Sequence, residues 1–210
     1  MKKALTAAEE RPSDETLLSR YRDQGRSEDY EALLSRYERE LYRYLARYLG
    51  DAALAEDVFQ NTFLQIHLKR HLYQDGRPVR PWIYAIATHQ AVDALRKSGR
   101  HPTISLDDRL GDGTEADPSA LVDLLTKDLP GPLADLEAEE RKNWVRTSIE
   151  RLPDTLRQTL ILAYYENLKY REIADILQIP VGTVKSRLHA ALARLADMAR
   201  QAHLPEADES

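Results

Sequence analysis

The chain contains no cysteine in 210 residues. That excludes disulfides, a thiol nucleophile, a Cys-rich zinc site and direct thiol-based redox sensing. No apolar run approaches the length of a membrane span, and the start MKKALTAAEERPSDE lacks the hydrophobic core of a signal peptide. A cytoplasmic protein without membrane insertion is expected. Strand-like alternation is missing, which points to an all-α fold. No set of acids, bases or nucleophiles converges in the pattern, which argues against an enzyme and against cofactors. His67 and His71 stand four apart, a spacing that can hold a metal on a helix, but no third ligand or general-base carboxylate accompanies them and no metal is expected. Positive charge is not in excess either. A net charge of −5 argues against non-specific coating of nucleic acid.

What the chain does have is helical periodicity, and it is clearest between Tyr170 and Leu195. Ile173, Ala174 and Leu177 mark one helical face, the sequence breaks at Gln178–Gly182, and Val184, Leu188, Ala191 and Leu195 restart a 3.6-residue period. Two short helices crossing over a tight turn make a helix-turn-helix. On the second helix Lys185, Ser186 and His189 fall opposite the apolar stripe and Thr183 and Arg187 flank it, at the end that a recognition helix presents to the major groove. The alternative is an antiparallel helix pair with an ordinary solvated basic face.

In chain order, Ser13 opens a short helix ending before Gly25, and Ser27 caps a longer one reaching Leu49, with Tyr30, Leu33, Leu34, Tyr37, Leu41, Tyr44, Leu45 and Tyr48 at helical spacing. These tyrosines read as core and boundary residues with their hydroxyls in water, rather than as a base-stacking platform. Asp51 caps a third helix with the apolar face Leu54, Val58, Phe59, Thr62, Ile66 and a polar side of Asp57, Gln60, Asn61 and Gln65. Turn chemistry from Tyr73 to Pro81 leads to a fourth, burying Ile83, Ile86, Ala87, Val92 and Leu95 and ending in the basic cluster Arg96, Lys97, Arg100. Those cations suit a helix C-terminus and equally a phosphate backbone. From His101 to about Pro132 the pattern dissolves into an acidic linker, with a short helical possibility around Ser119 to Thr126. Beyond it Leu133, Leu136, Trp144, Val145 and Ile149 pattern a helix, and Pro153 starts another. The expected architecture is two small helical domains joined by a flexible acidic linker, the C-terminal one a helix-turn-helix. The expected segments are 1–25, an extension with a short helix; 26–101; the linker 102–132; 133–202; and an acidic tail 203–210.

Two blocks in this order and spacing carry a resemblance. The first is Ala55–Phe63 (AEDVFQNTF), followed by Pro81–Ala87 (PWIYAIA) and Asp93–Lys97 (DALRK). The second is Leu152-Pro153 with Arg157, Tyr170–Ala174 (YREIA) and Pro180–Leu188 (PVGTVKSRL). Over roughly residues 27–200 the chain resembles bacterial RNA polymerase sigma factors of the small, extracytoplasmic-function type. The resemblance implies a factor that binds core RNA polymerase and directs initiation at promoter DNA by binding energy, without chemistry of its own, under an anti-sigma factor. By position, Asp57, Gln60, Asn61 and Phe63 would dock on the polymerase. Arg77, Arg80, Trp82, Tyr84, His89, Asp93, Arg96 and Lys97 would serve the −10 element, with the loop Tyr73 to Arg80 capturing a flipped base. Tyr170, Arg171, Thr183, Lys185, Ser186, Arg187 and His189 would serve the −35 element. The linker acids Asp107, Asp108, Asp112, Glu115, Asp117 and Asp123 would mimic an RNA strand in a basic channel, or simply form a soluble spacer.

The chain departs from that pattern at His89 and Ala85, where Asn and Arg are usual, at Asn61 in place of Glu, and at Asn167, Lys169 and Gln178 around the helix-turn-helix. Gln at a turn position that favours glycine, and the loss of a Ser cap at Lys169, are each expected to cost about 1 kcal/mol. The rival reading is a helix-turn-helix regulator acting without polymerase docking.

Overall fold

In the computed structural model, residues 11–99 and 134–202 are described, the side chains of the second stretch from residue 140 onward. The readings made for the first residues, the linker and the tail lie outside them. The described residues form eight α-helices and no strand: α1 Asp14–Gln24, α2 Ser27–Leu49, α3 Ala52–Lys69, α4 Val79–Lys97, α5 Ala134–Glu150, α6 Asp154–Leu160, α7 Tyr170–Leu177 and α8 Val181–Gln201. A 3₁₀ turn, Arg70–Leu72, follows α3, and a π-helical turn, Ile161–Tyr165, extends α6.

Local chemistry fixes the boundaries. Ser13 accepts the Thr16 N–H at 3.2 Å and Asp51 accepts the Leu54 N–H at 3.1 Å, each satisfying a donor that the first turn leaves unpaired. Ser27 is the first residue of α2, not its cap, which is Arg26. Gly25 and Gly50 close α1 and α2 in the left-handed conformation.

Helices α1 to α4 pack around Leu17, Leu18, Leu41, Leu45, Ile66 and Ile83. Tyr37, Tyr44 and Tyr48 are core residues and Tyr30 lies at the boundary, as their spacing requires, but the hydroxyls are not all kept in water. Tyr44 is fully buried and its hydroxyl shares a hydrogen bond of 2.7 Å with Thr88 Oγ1, so this polar group is satisfied inside the core rather than in water. Burial raises its pKa. On α3 it is Phe63 that is buried, beside Ala55, Val58, Thr62 and Ile66, while Phe59 and Leu54 are only partly covered.

Helices α5 to α8 form the second unit, around Leu160, Ile161, Ile173, Val184, Leu188 and Leu195. Each such aliphatic side chain contributes about 1.5–3 kcal/mol by leaving water. Between α7 and α8 the chain turns through Gln178 at φ 54°, with the Ile179 N–H on the Ala174 carbonyl at 3.1 Å. The cap expected to be missing at Lys169 is partly made, because Glu172 reaches back to accept the Lys169 N–H at 2.7 Å. The two units also touch. Helix α4 packs on α2 and α3 and also on α7, and the π-helical turn lies against α2.

Candidate nucleic-acid interface

The second helix of the helix-turn-helix, α8, is seated by Val184, Leu188, Ala191 and Leu195, all buried as its period requires, together with Leu192 and Ala196. That seating leaves Lys185 and His189 exposed and Thr183, Ser186 and Arg187 half-buried at the groove end. Ser186 donates its hydroxyl to the Thr183 carbonyl at 3.1 Å, so toward an outside partner it retains only its acceptor lone pairs. Arg187 differs from its neighbours. Burial lowers its pKa, and among the described residues no anion accompanies it, whereas Arg22, Arg80 and Arg157 all have carboxylate partners. A half-dehydrated guanidinium without a counter-charge is ready for an external phosphate or a guanine edge. Tyr170 and Arg171 lie exposed at the start of α7. Val181, exposed on the first turn of α8, was missed from the sequence; an apolar residue there can contact a thymine methyl.

On α3, Asp57, Gln60 and Asn61 are exposed, and Gln60 Nε2 donates to Glu56 Oε1 at 3.0 Å. Phe63 does not join them. It is buried, with ring centroids 5.0 Å from Phe59 and 6.4 Å from Tyr30, and its carbonyl accepts the Tyr30 hydroxyl at 2.9 Å. Instead Leu64 and Leu68, 52% and 51% exposed, continue the face. At about 100° per residue Asp57, Gln60, Asn61, Leu64 and Leu68 fall within about 100° of one another. The i, i+4 leucine pair was the signal for this extension, and the third leucine, Leu72, is also exposed.

The loop before α4 is held by α1. Arg22 donates to the Tyr73 carbonyl at 2.9 Å and to Asp75 at 2.9 Å, Ser19 donates to Asp75 at 2.7 Å, and Glu15 accepts the Val79 N–H at 3.2 Å. The hydrogen bond from Arg22 is the main reason the Asp75 pKa is lowered. Tyr73 is buried edge-on to half-buried Trp82, centroids 5.6 Å apart, and its hydroxyl donates to the Arg77 carbonyl at 2.5 Å, leaving the Arg77 side chain outside. Along α4, His89, Asp93, Arg96 and Lys97 are exposed, with Arg96 and Asp93 3.5 Å apart. Arg80 and Tyr84 are turned to the other half of the chain. Tyr84 is fully buried and donates to Glu166 at 2.6 Å, and Arg80 lies 3.3 Å from Glu40 and 3.8 Å from Glu166.

His67 is paired through Nδ1 with the Tyr21 hydroxyl, and no group of three metal-binding side chains occurs among the described residues. None of the described helices is long and apolar enough to cross a membrane.

Comparison with known proteins matches the two halves separately. Residues 33–101 match the family model Sigma-70 region 2, and residues 142–195 match Sigma-70, region 4. The ECF RNA polymerase sigma factor SigW of Bacillus subtilis is 31% identical over 79% of this chain and 86% of its own length. The RNA polymerase sigma-H factor of Pseudomonas aeruginosa is 31% identical over 92% and 97%. Among solved structures, CnrH in complex with the cytosolic domain of CnrY superposes with a TM-score of 0.62 at 19% identity, covering 90% of this chain and 99% of that one. The sigma factor RpoE in complex with the anti-sigma factor NepR from Bartonella quintana gives 0.58 at 21% identity, covering 82% and 97%. A regulator with only a DNA-binding helix-turn-helix is not favoured, since the first half matches as well as the second. The chain belongs to the extracytoplasmic-function sigma factors of bacterial RNA polymerase, which direct initiation at promoters.

Proposed function

We propose that this sigma factor docks on core polymerase through the exposed face Asp57, Gln60, Asn61, Leu64 and Leu68 of α3, serves the −10 element with α4 and the loop before it, and reads the −35 element with the groove end of α8. Phe63 supports the docking face from beneath. The single observation that carries the reading is the coincidence on α3 of polar residues and two half-exposed leucines along one stripe opposite the core face, an arrangement that a solvated helix does not need. At the −10 site Arg77, Trp82, His89, Asp93, Arg96 and Lys97 are the accessible groups, with Arg96 and Lys97 suited to phosphates. At the −35 site the corresponding groups are Tyr170, Arg171, Thr183, Lys185, Ser186, Arg187 and His189. Every step is binding: unstacking a promoter base costs a few kcal/mol, which contacts to the displaced strand must offset. The chain acts in the cytoplasm and is restrained by an anti-sigma factor, a reading supported by the RpoE–NepR complex of the same fold.

The test is a core-polymerase titration with Asp57→Ala/Gln60→Ala and with Leu64→Ser/Leu68→Ser, followed by run-off transcription. Both pairs should weaken core binding at unchanged helical content. Parent-like affinity for both sinks the docking assignment. The segment from residue 102 to 132 is proposed to act as an anionic tether between the promoter-reading halves, and serine replacements at Asp107, Asp108, Asp112, Glu115, Asp117 and Asp123 would lower initiation if its charge matters.

A further inference from the structure

The contact between the two halves is built from groups that a promoter-binding helix would otherwise offer to DNA. Tyr84 and Arg80 of α4 point at one carboxylate, Glu166, which follows the π-helical turn of the other half. Arg47 of α2 stands 3.9 Å from the same carboxylate, and its guanidinium lies 3.9 Å over the Tyr165 ring. The carboxylate is buried while both guanidinium side chains remain about one-third exposed, each 34%. Helix α4 is covered over about 200° of its circumference, counted at about 100° per residue from Ile86 round to Thr88, and α7 over about 160°, from Ile176 to Ala174. Helix α4 meets α1, α2 and α3 of its own half as well as α7 of the other. Each is seated on two sides, and the two meet.

We propose that this contact is a latch in which Glu166 stands in for a phosphate: the free chain rests closed, and opening it exposes Arg47, Arg80 and Tyr84 as an anion-binding set for the promoter backbone. The inference rests on reading α4 as the −10 helix. One hydroxyl and two guanidinium groups around one anion are the donors that DNA-binding proteins direct at phosphate oxygens. The anion supplied from within has every reason to yield. Burial raises the Glu166 pKa against the pull of Tyr84, Arg47 and Arg80, so the closed state bears a cost for keeping that charge out of water. The cations, partly wetted already, return to solvent cheaply. Polar seams of this kind between units of one chain separate more readily than apolar cores.

Because the chain has no cysteine, two introduced thiols carry the only labels. Donor and acceptor dyes at Glu31→Cys on α2 and Ala202→Cys just beyond α8, both exposed positions, report closure in the full-length protein. The parent should show efficient energy transfer that falls when core polymerase and a promoter fragment are added. Glu166→Ala leaves the buried Tyr84 hydroxyl without its acceptor and removes the carboxylate that Arg47 and Arg80 approach, Arg80 keeping Glu40, and should shift the closed-to-open ratio about tenfold toward open, given the strength of a charged hydrogen bond. It should also bind a short single-stranded oligonucleotide about tenfold more tightly than the parent. Glu166→Gln, which keeps an acceptor for Tyr84 and removes the buried charge, should stay closed. If Glu166→Ala loses its fold, Tyr84→Phe decides by the same readout, with far-UV circular dichroism as the check on helicity. Equal transfer in the parent and in folded Glu166→Ala or Tyr84→Phe overturns the latch, as does equal oligonucleotide affinity of the parent and folded Glu166→Ala. Transfer in the free protein is read without polymerase, so failure to bind core or to initiate removes the functional assignment and leaves the latch measurement intact.

Discussion

Replacing Arg187 by Gln separates a residue that serves DNA from one that serves the fold. In the free protein Arg187 is half-buried without an anion among the described residues, and burial lowers its pKa. The side chain still remains charged at neutral pH. The charged form is therefore the one that the fold disfavours, and Gln relieves that cost while keeping much of the stem. Since the group is partly solvated, the change in stability should stay within about 0.5 kcal/mol and lie on the stabilising side. On DNA the sign reverses. A lost phosphate contact removes about 0.9 from the slope of log affinity against log salt, so between 50 and 200 mM salt about 3.5-fold of the salt dependence disappears. A lost guanine contact instead costs about 1–3 kcal/mol at one base pair and relaxes preference there. Arg187→Lys discriminates further, since an ammonium keeps the charge and loses the planar fork. The assay is holoenzyme binding to fluorescent promoter fragments across salt, with −35 substitutions, beside thermal melts of the free protein. Unchanged affinity, slope and base preference, or a melting temperature lowered by several degrees, would refute the reasoning.

Three further outcomes are expected. Phe63→Ala should cost about 3–5 kcal/mol and melt the first half of the molecule in a thermal scan, whereas Asp57→Ala/Gln60→Ala should leave the transition in place; equal melting of both variants refutes the burial argument. Closure should depend on pH through Glu166, which faces Tyr84 and Arg80 of α4 and Arg47 of α2, with Glu40 close by. A carboxyl whose pKa is raised in the closed state favours closing fully below its ordinary value of 4.5, and that contribution is lost as pH rises through the raised value. Energy transfer should therefore fall with rising pH in the parent and stay flatter in Glu166→Gln. Gln178→Gly should raise the melting temperature of the helix-turn-helix by the equivalent of up to about 1 kcal/mol, because φ 54° suits glycine, with the lost side-chain bond to the Asp175 carbonyl as a partial offset; a lower melting temperature counts against it.

Local features were legible in the sequence because their causes are local. Ser13, Asp51, Gly25 and Gly50 bound their helices through contacts within four residues, and Val184, Leu188, Ala191 and Leu195 repeat on the face that packs. The choice between Phe59 and Phe63 was not legible. The two lie one helical turn apart, and their surroundings are set by residues far away in the chain, Tyr30 against Phe63 and Tyr42 against Phe59. For α4 the pattern itself is blurred, since a helix covered on two sides has apolar residues around most of its circumference, and Tyr84 and Thr88 are buried by partners that periodicity cannot name. The Tyr84–Glu166 bond spans 82 residues, and nothing in either segment announces the other. The exposed leucines Leu64 and Leu68 of α3 show the same limit: composition tells what a stretch can do, and geometry tells which face it is on.

The π-helical turn at Ile161–Tyr165 has an evolutionary consequence. There the Glu166 N–H reaches back five residues to the Ile161 carbonyl at 3.2 Å, so the chain carries one residue more than an α-helical ladder would. That surplus residue sets the direction in which Tyr165 and Glu166 emerge. Deleting a single codon between positions 161 and 165 would restore regular helix and swing both side chains by about 100° away from Arg47 and Tyr84. Point substitutions tune the strength of the contact by degrees, whereas an in-frame triplet lost or gained switches it off or on in one step. Lineages of this family could therefore acquire or abandon self-restraint without altering a single residue that meets DNA.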